Sequence, residues 1–143
     1  MYRRIMVATD GSEHSAKAVD HAIELCKSSG AELLAVSVIN MDAISFMEDS
    51  DRDVYFEVQY ALEKRANDIL NEVEKKANKE NVLVKKIIQV GDPAEVVVEL
   101  AKREDADLIV IGTRGLLGVK RVVLGSHAEK IVRWASVPVL VVR

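Results

Sequence analysis

The stretch Leu108-Ile109-Val110-Ile111-Gly112-Thr113-Arg114-Gly115 decides the fold: four apolar residues in a row, then a glycine and a polar turn. A strand with one face in water alternates apolar and polar residues. An unbroken run this short therefore reads as a central strand of a parallel sheet, covered on both faces. Outward from it, apolar runs at about Arg4 to Thr9, Glu32 to Ile39, Val82 to Val90 and Val137 to Val142 alternate with helical patterns. That alternation is the mark of βαβ units and predicts an α/β fold, an open five-stranded parallel sheet with helices on both faces.

The helical segments carry their own punctuation. The first, from near Ser12 or Ser15 to Ser28, sets Val19, Ala22, Ile23 and Cys26 on one stripe and closes at Gly30. Cys26 is thereby placed in the core as an inert thiol. The second covers roughly Val54 to Lys79, with Leu62, Ala66, Ile69, Val73 and Ala77 inward and its Lys and Glu residues in water. The third starts at Asp92-Pro93-Ala94-Glu95, where Asp92 suits the N-cap, Pro93 the first helical position and Glu95 the third, and runs to about Glu104. The last starts at Ser126-His127-Ala128-Glu129, a second capping-box pattern, and carries Ala128, Ile131, Val132 and Ala135 inward. Between the second strand and second helix, Asn40 to Asp53 sets five acids against the single base Arg52 and reads as a mobile loop.

Composition bounds the possibilities. A length of 143 residues predicts one domain, and 49% hydrophobic with 30% charged residues is that of a globular chain rather than a disordered one. The net charge of −3 argues against a nucleic-acid surface, so any phosphate must be met locally. Cys26 is the only cysteine, which excludes an intramolecular disulfide and a multi-cysteine zinc site and makes the cytoplasm the expected location. The apolar run after Met1-Tyr2-Arg3-Arg4 is too short for a signal peptide or membrane span.

Against that acidic background one segment stands apart. Four of the seven glycines, Gly112, Gly115, Gly118 and Gly125, fall between the fourth strand and the last helix, in a stretch with Arg114, Lys120 and Arg121 and no acid. Glycines let backbone N–H groups approach an oxyanion, the helix beginning at Ser126 directs its positive end there, and the hydroxyls of Thr113 and Ser126 add donors. This predicts a phosphate site. In an open parallel sheet ligands bind beyond the carboxyl ends of the strands, which brings Thr9-Asp10-Gly11-Ser12 and Val38-Ile39-Asn40 to the same edge. An ionised Asp10 accepts hydrogen bonds and so matches the vicinal hydroxyls of a ribose; the plainer reading makes it a turn residue before the first helix.

Several familiar sites are excluded. No G-x-G-x-x-G follows a strand and no G-x-x-x-x-G-K-[ST] occurs, which removes the dinucleotide fingerprint and the P-loop. A phosphoryl-receiver domain shares the alternation, but Asp92 lies in a helix-start pattern and the fifth strand ends without a lysine. A flavin-phosphate loop is only partly matched by Thr9 to Ser15. His14, His21 and His127 are too dispersed for a metal cluster, though the ring of His127 lies where an N–H can reach a phosphate oxygen.

Gly112, two residues, Gly115, nine residues, then Gly125 and Ser126 reproduce the pattern G-x2-G-x9-G-[ST]. With the opening Ile5 to Ser15 and the ending Val137 to Val142, essentially the whole chain resembles the universal stress proteins of the nucleotide-binding kind. The resemblance implies a Rossmann-like sheet of order 3-2-1-4-5, as in adenine nucleotide alpha hydrolases, and a site for ATP, or for ADP or AMP, with Mg or Mn as the accompanying cation. It assigns Asp10 to the ribose or adenine side, with Ala8 and Thr9 leading into it, and Val38 to the adenine. Gly112, Arg114, Gly115, Gly125 and Ser126 fall to the phosphates, joined by His127 where many members carry a small or hydroxyl residue.

The implied order leaves the final strand at an edge, and Val137 to Val142 carries no charge to blunt it, which predicts a homodimer joined there. Trp134, beside His127 and Ile131 by helical spacing, is a candidate for lining that interface. The glycine loop holds no carboxylate to position water and Glu129 is taken up by the capping pattern, so at most slow hydrolysis is expected. The leading expectation is a nucleotide-dependent switch acting on an unknown protein partner, with the acidic loop as its moving part and neither nucleic acid nor membrane as a target. The alternatives are a slow ATPase or a phosphoryl- or adenylyl-transfer enzyme at the same site, and an interaction module that binds no nucleotide.

Overall fold

The computed structural model describes residues 1–40, 42, 52–113 and 124–143. The acidic segment read as a mobile loop lies largely outside the described residues, as do Arg114, Gly115, Gly118, Lys120 and Arg121. Elements alternate as β1 (Arg4–Ala8), α1 (Glu13–Ser29), β2 (Glu32–Ile39), α2 (Arg52–Lys79), β3 (Val84–Val90), α3 (Pro93–Arg103), β4 (Leu108–Gly112), α4 (Ser126–Trp134) and β5 (Val139–Val142). The sheet is parallel throughout in the order β3-β2-β1-β4-β5. β1 is the pivot: Ile5 pairs with Leu33 on one side and Leu108 on the other. The chain winds outward from β1 to β3 and returns to β4, so the strand order reverses between β1 and β4.

Side chains divide by parity along each strand. Ile5, Val7, Leu33, Ala35, Leu108 and Val110 join Val19, Ile23, Cys26, Leu70 and Val73 in a core under α1 and α2. Met6, Leu34, Val36, Ile109 and Ile111 join Val97, Leu100, Ala128 and Ile131 in a second core under α3 and α4. This two-sided burial is why β1 and β4 read as unbroken apolar runs. Cys26 is 1% exposed, and burial pushes its thiol up to about 12, as its place on the inner stripe of α1 requires.

Local chemistry sets the boundaries. Ser12 caps α1 by accepting from the Ser15 N–H, and Gly30 ends it in the left-handed region at φ 77°. Asp92 caps α3 by accepting from the Glu95 N–H with Pro93 in the first turn, the arrangement its sequence predicts. Four expectations are corrected. β5 begins at Val139 rather than Val137, because Pro138 has no N–H for a ladder and supplies only its carbonyl, to Ile109 N–H at 3.0 Å. β3 begins at Val84 rather than Val82, whose N–H is drawn back to the Ala77 carbonyl. On α2, Leu62 and Ile69 are half-buried while the fully buried anchor is Leu70, and no residue of the helix before Ala66 is buried. Val132 of α4 is 45% exposed, because that helix packs mainly on α3 and β5 at the end of the sheet and its buried stripe is correspondingly narrow.

Candidate functional site

The reversal between β1 and β4 opens a crevice at the carboxyl edge of the sheet. Three segments converge there: the turn after β1, the end of β4, and the start of α4. The end of β4 is tied to both neighbours, since the Thr113 N–H donates to the Val142 carbonyl at 3.1 Å and its carbonyl accepts the Gly125 N–H at 2.7 Å. Gly112 owes its smallness to packing, because a Cβ there would stand 3.0 Å from the His14 backbone oxygen. It lets β4 close against the first turn of α1.

The turn after β1 is organised by hydroxyls. The Ser12 N–H donates to Asp10 Oδ1 at 2.9 Å, and the Ser15 hydroxyl donates to the same oxygen at 2.9 Å. The Ser12 hydroxyl is a further hydrogen-bond partner of the carboxylate. Burial acts to raise the pKa of Asp10, but the hydrogen bonds from Ser12 and Ser15 outweigh it and hold the carboxyl below its ordinary range. Asp10 thus takes the turn role, the plainer of the two read from its sequence. Thr9 is buried with its hydroxyl 2.9 Å from that of Ser15, which leaves its backbone rather than its side chain at the edge. Gly11 takes φ 82°, which favours glycine, and sits under Ile69 of α2.

At the third segment the expected capping box is corrected. Gly125, not Ser126, is the N-cap, among the described residues no side chain caps the helix, and Ser126 is its first residue. Glu129 pairs with Arg133 instead of reaching back. The N–H groups of Ser126, His127 and Ala128 fall in the first turn, where no helix supplies its own partners. Both α1 and α3 are closed by a side chain, and α4 is not.

Ala8 and Val38 line the α3 and α4 side of the sheet near this edge, both half-buried against the second core. Among the described residues, then, Ala8, Asp10, Val38, Gly112, Gly125, Ser126 and His127 lie along one edge; Arg114 and Gly115 fall outside them. A cleft of about 210 Å³ lies behind the β1 turn, between α1 and α2, lined by Thr9, Ser12, Ile69 and Lys76 among others. It falls below the ~300 Å³ at which small-molecule pockets begin. No group of three or more His, Cys, Asp or Glu among the described residues is placed to hold a metal. Ser15 was not singled out from the sequence; the signal was a second hydroxyl three residues after the cap, on the face that also carries Val19 and Ala22.

A family model described as the universal stress protein family matches residues 1–143. The chain belongs to that family. Universal stress protein MJ0531 of Methanocaldococcus jannaschii is 36% identical over 143 residues, covering 100% of this chain and 83% of the relative. Among solved structures, universal stress protein UspA from Lactobacillus plantarum superposes with a TM-score of 0.88 at 26% identity, over 99% of this chain and 98% of that one. A universal stress protein solved in complex with cAMP superposes with a TM-score of 0.75 at 29% identity, over 99% and 97% of the two chains. These universal stress proteins share the fold, so the fold and family expected from the glycine pattern stand.

Proposed function

We propose that this universal stress protein binds an adenine nucleotide at the carboxyl edge of its sheet and works as a nucleotide-dependent regulator. The observation that carries the reading is the start of α4, whose N-cap Gly125 has no side chain to close it, at the same edge of the sheet as the Asp10 turn. An uncapped helix start offers N–H donors and a positive dipole end to phosphate, while a carboxylate offers acceptors to ribose hydroxyls. The relative solved with cAMP supports the class of ligand. Ala8 and Val38 supply apolar contact for the base, Asp10 meets the sugar, and Gly112, Gly125, Ser126 and His127 surround the phosphates with Arg114 and Gly115 from the loop. Thr9 contributes main chain. A Mg or Mn ion would be held chiefly by the phosphates of ATP or ADP, and AMP needs none.

Regulation rather than turnover is favoured by the side chains on hand. Near the start of α4 the acidic group is Glu129, and its partner is Arg133. Among the described residues at the start of α4 no other carboxylate stands ready to position a water, so slow ATP hydrolysis at most is expected. No helix among the described residues is long and apolar enough to cross a membrane. The lone, buried cysteine is in keeping with a reducing cytoplasm as its location, where we propose that it acts as one domain on a protein partner.

The second half of the proposal is a homodimer joined through β5. The sheet has two edges of different character. On β3, Lys85 pairs with Glu104 and Lys86 with Glu74, charges that blunt the edge. On β5 the four residues are Val139, Leu140, Val141 and Val142, with Leu140 exposed. An uncharged apolar edge invites a second strand.

Thermal unfolding with ATP, AMP, FMN and NAD in parallel tests the site. A ligand at ~100 times its dissociation constant adds about 2.7 kcal/mol, raising the midpoint by several degrees. ATP or AMP should give that shift and Gly125→Val should abolish it. No shift with any adenine nucleotide refutes the assignment.

A further inference from the structure

α2 carries apolar residues on two opposite faces. Ala66, Leu70, Val73 and Ala77 recur at helical spacing on the face that packs on β2 and β3. At about 100° per residue, Phe56 and Tyr60 fall together on the outer face, one turn apart, where they are 57% and 70% exposed. Tyr55 sets its ring edge-on to that of Phe56, with centroids 5.7 Å apart. Three of the chain's six aromatic residues thus lie within six positions of one helix. A single exposed apolar side chain needs no explanation, but two rings paired on the face turned from the core are not accounted for by packing.

The charge around these rings is one-sided. Between positions 41 and 60 the sequence holds Asp42, Glu48, Asp49, Asp51, Asp53 and Glu57 against Arg52, a balance of −5 in a chain whose total is −3, so the remainder is +2. Lys64 and Arg65 mark the end of this acidic zone. Glu57, exposed between the two rings, makes no ion pair among the described residues, and Asp53, one turn earlier, is an exposed carboxylate on the same face. Such a surface repels nucleic acid and anionic lipid. A twofold contact with a second copy through this face would set acid against acid, and the β5 edge proposed for the dimer lies at the far side of the sheet.

We propose that the outer face of the first turns of α2 is a docking surface for an arginine-bearing segment of another protein. This gives a chemistry to the protein partner of the functional reading above and is independent of its nucleotide. A guanidinium stacks on the face of Phe56 or Tyr60 while its N–H groups donate to Glu57, a combination that the compact ammonium of lysine matches poorly. Asp53 to Tyr60 spans about 10 Å of helix axis, the length of about three extended residues of a partner chain.

Anisotropy titrations of fluorescein-labelled nona-arginine and nona-lysine with the full chain, at a salt concentration of about 150 mM to screen long-range attraction, test the proposal. The parent should bind nona-arginine, and nona-lysine several-fold more weakly. Phe56→Ser with Tyr60→Ser should weaken nona-arginine by about tenfold. Both positions are exposed and serine matches the aromatics in helix propensity, so the unfolding midpoint should stay where it is. Glu57→Gln should weaken binding several-fold, whereas Glu99→Gln, the same change of charge on an exposed position of α3 across the sheet, should not. The proposal is overturned if nona-arginine does not bind, if nona-lysine binds as tightly, if the ring variant binds like the parent, or if Glu99→Gln weakens binding as much as Glu57→Gln. It is overturned equally if the ring variant turns an oligomer into a smaller species, which would make a second copy the occupant. The α2 variants should keep the thermal shift with ATP, and its absence from the parent would refute the nucleotide reading while leaving this surface standing.

Discussion

Asp10 is held at its turn by bonds that also set its acidity. Its carboxylate closes the turn through Oδ1, and the same bonds lower its pKa despite burial. A lowered folded pKa contributes stability that is fully present above the unfolded value of about 3.9 and is lost as pH falls through the folded value. Asp10→Asn should therefore flatten the acid limb of stability, read from urea midpoints between about pH 5 and about pH 2. A limb parallel to the parent's would show that these bonds do not favour the ionised form. The turn role of Asp10 could be read from Asp-Gly-Ser before a helix, but the part played by Ser15 could not. A serine on an inner helical face looks like small core filler until the geometry shows its hydroxyl beneath a carboxylate.

At the scale of elements, α4 is where pattern and structure part. Ser126 and Glu129 have the spacing of a capping box, yet the backbone becomes helical one residue earlier than that box requires. The N-cap is defined by where φ and ψ change, and Gly125 already has φ −60° and ψ 158°, an extended conformation open to any residue. Gly125→Asp should add a side-chain cap and a favourable charge at the helix start, stabilising the free protein by about 0.5 to 1 kcal/mol. The same carboxylate would repel a phosphate. The expected outcome is a raised unfolding midpoint together with a weakened ATP-induced shift; an unchanged shift would remove α4 from the phosphate site. Elements governed by burial were legible, as β1 and β4 show, because a strand covered on both faces has no freedom in composition. Val132 was misplaced since an edge helix buries less than its apolar spacing suggests, which only the number of neighbours decides.

For the whole molecule, the order of strands came from the resemblance to a family and not from residue pattern. Alternating apolar runs specify that the sheet is parallel, but the side of β1 on which β4 returns is chosen by the crossovers together. Once the order is known, the contrast between the charged β3 edge and the apolar β5 edge becomes visible. Leu140→Lys should place like charges across any pairing of β5 with a second β5 and yield a monomer by light scattering at micromolar concentration. Because Leu140 is already exposed, the unfolding free energy of the monomer should move by less than about 0.5 kcal/mol. A dimer that survives this change would lie elsewhere on the surface.

The docking of α2 has a mechanical consequence. Ile69 rests on Gly11 at the level of the β1 turn, and before Ala66 no residue of the helix is buried, Tyr55, Val58, Gln59 and Leu62 being half-buried. At 1.5 Å per residue, the axis from Ile69 back to Arg52 runs about 25 Å past that contact. A tilt of about 10° at Ile69 would carry the far end through about 4 Å. A rearrangement of the turn too slight to disturb the sheet would be magnified at the aromatic tip carrying Phe56 and Tyr60.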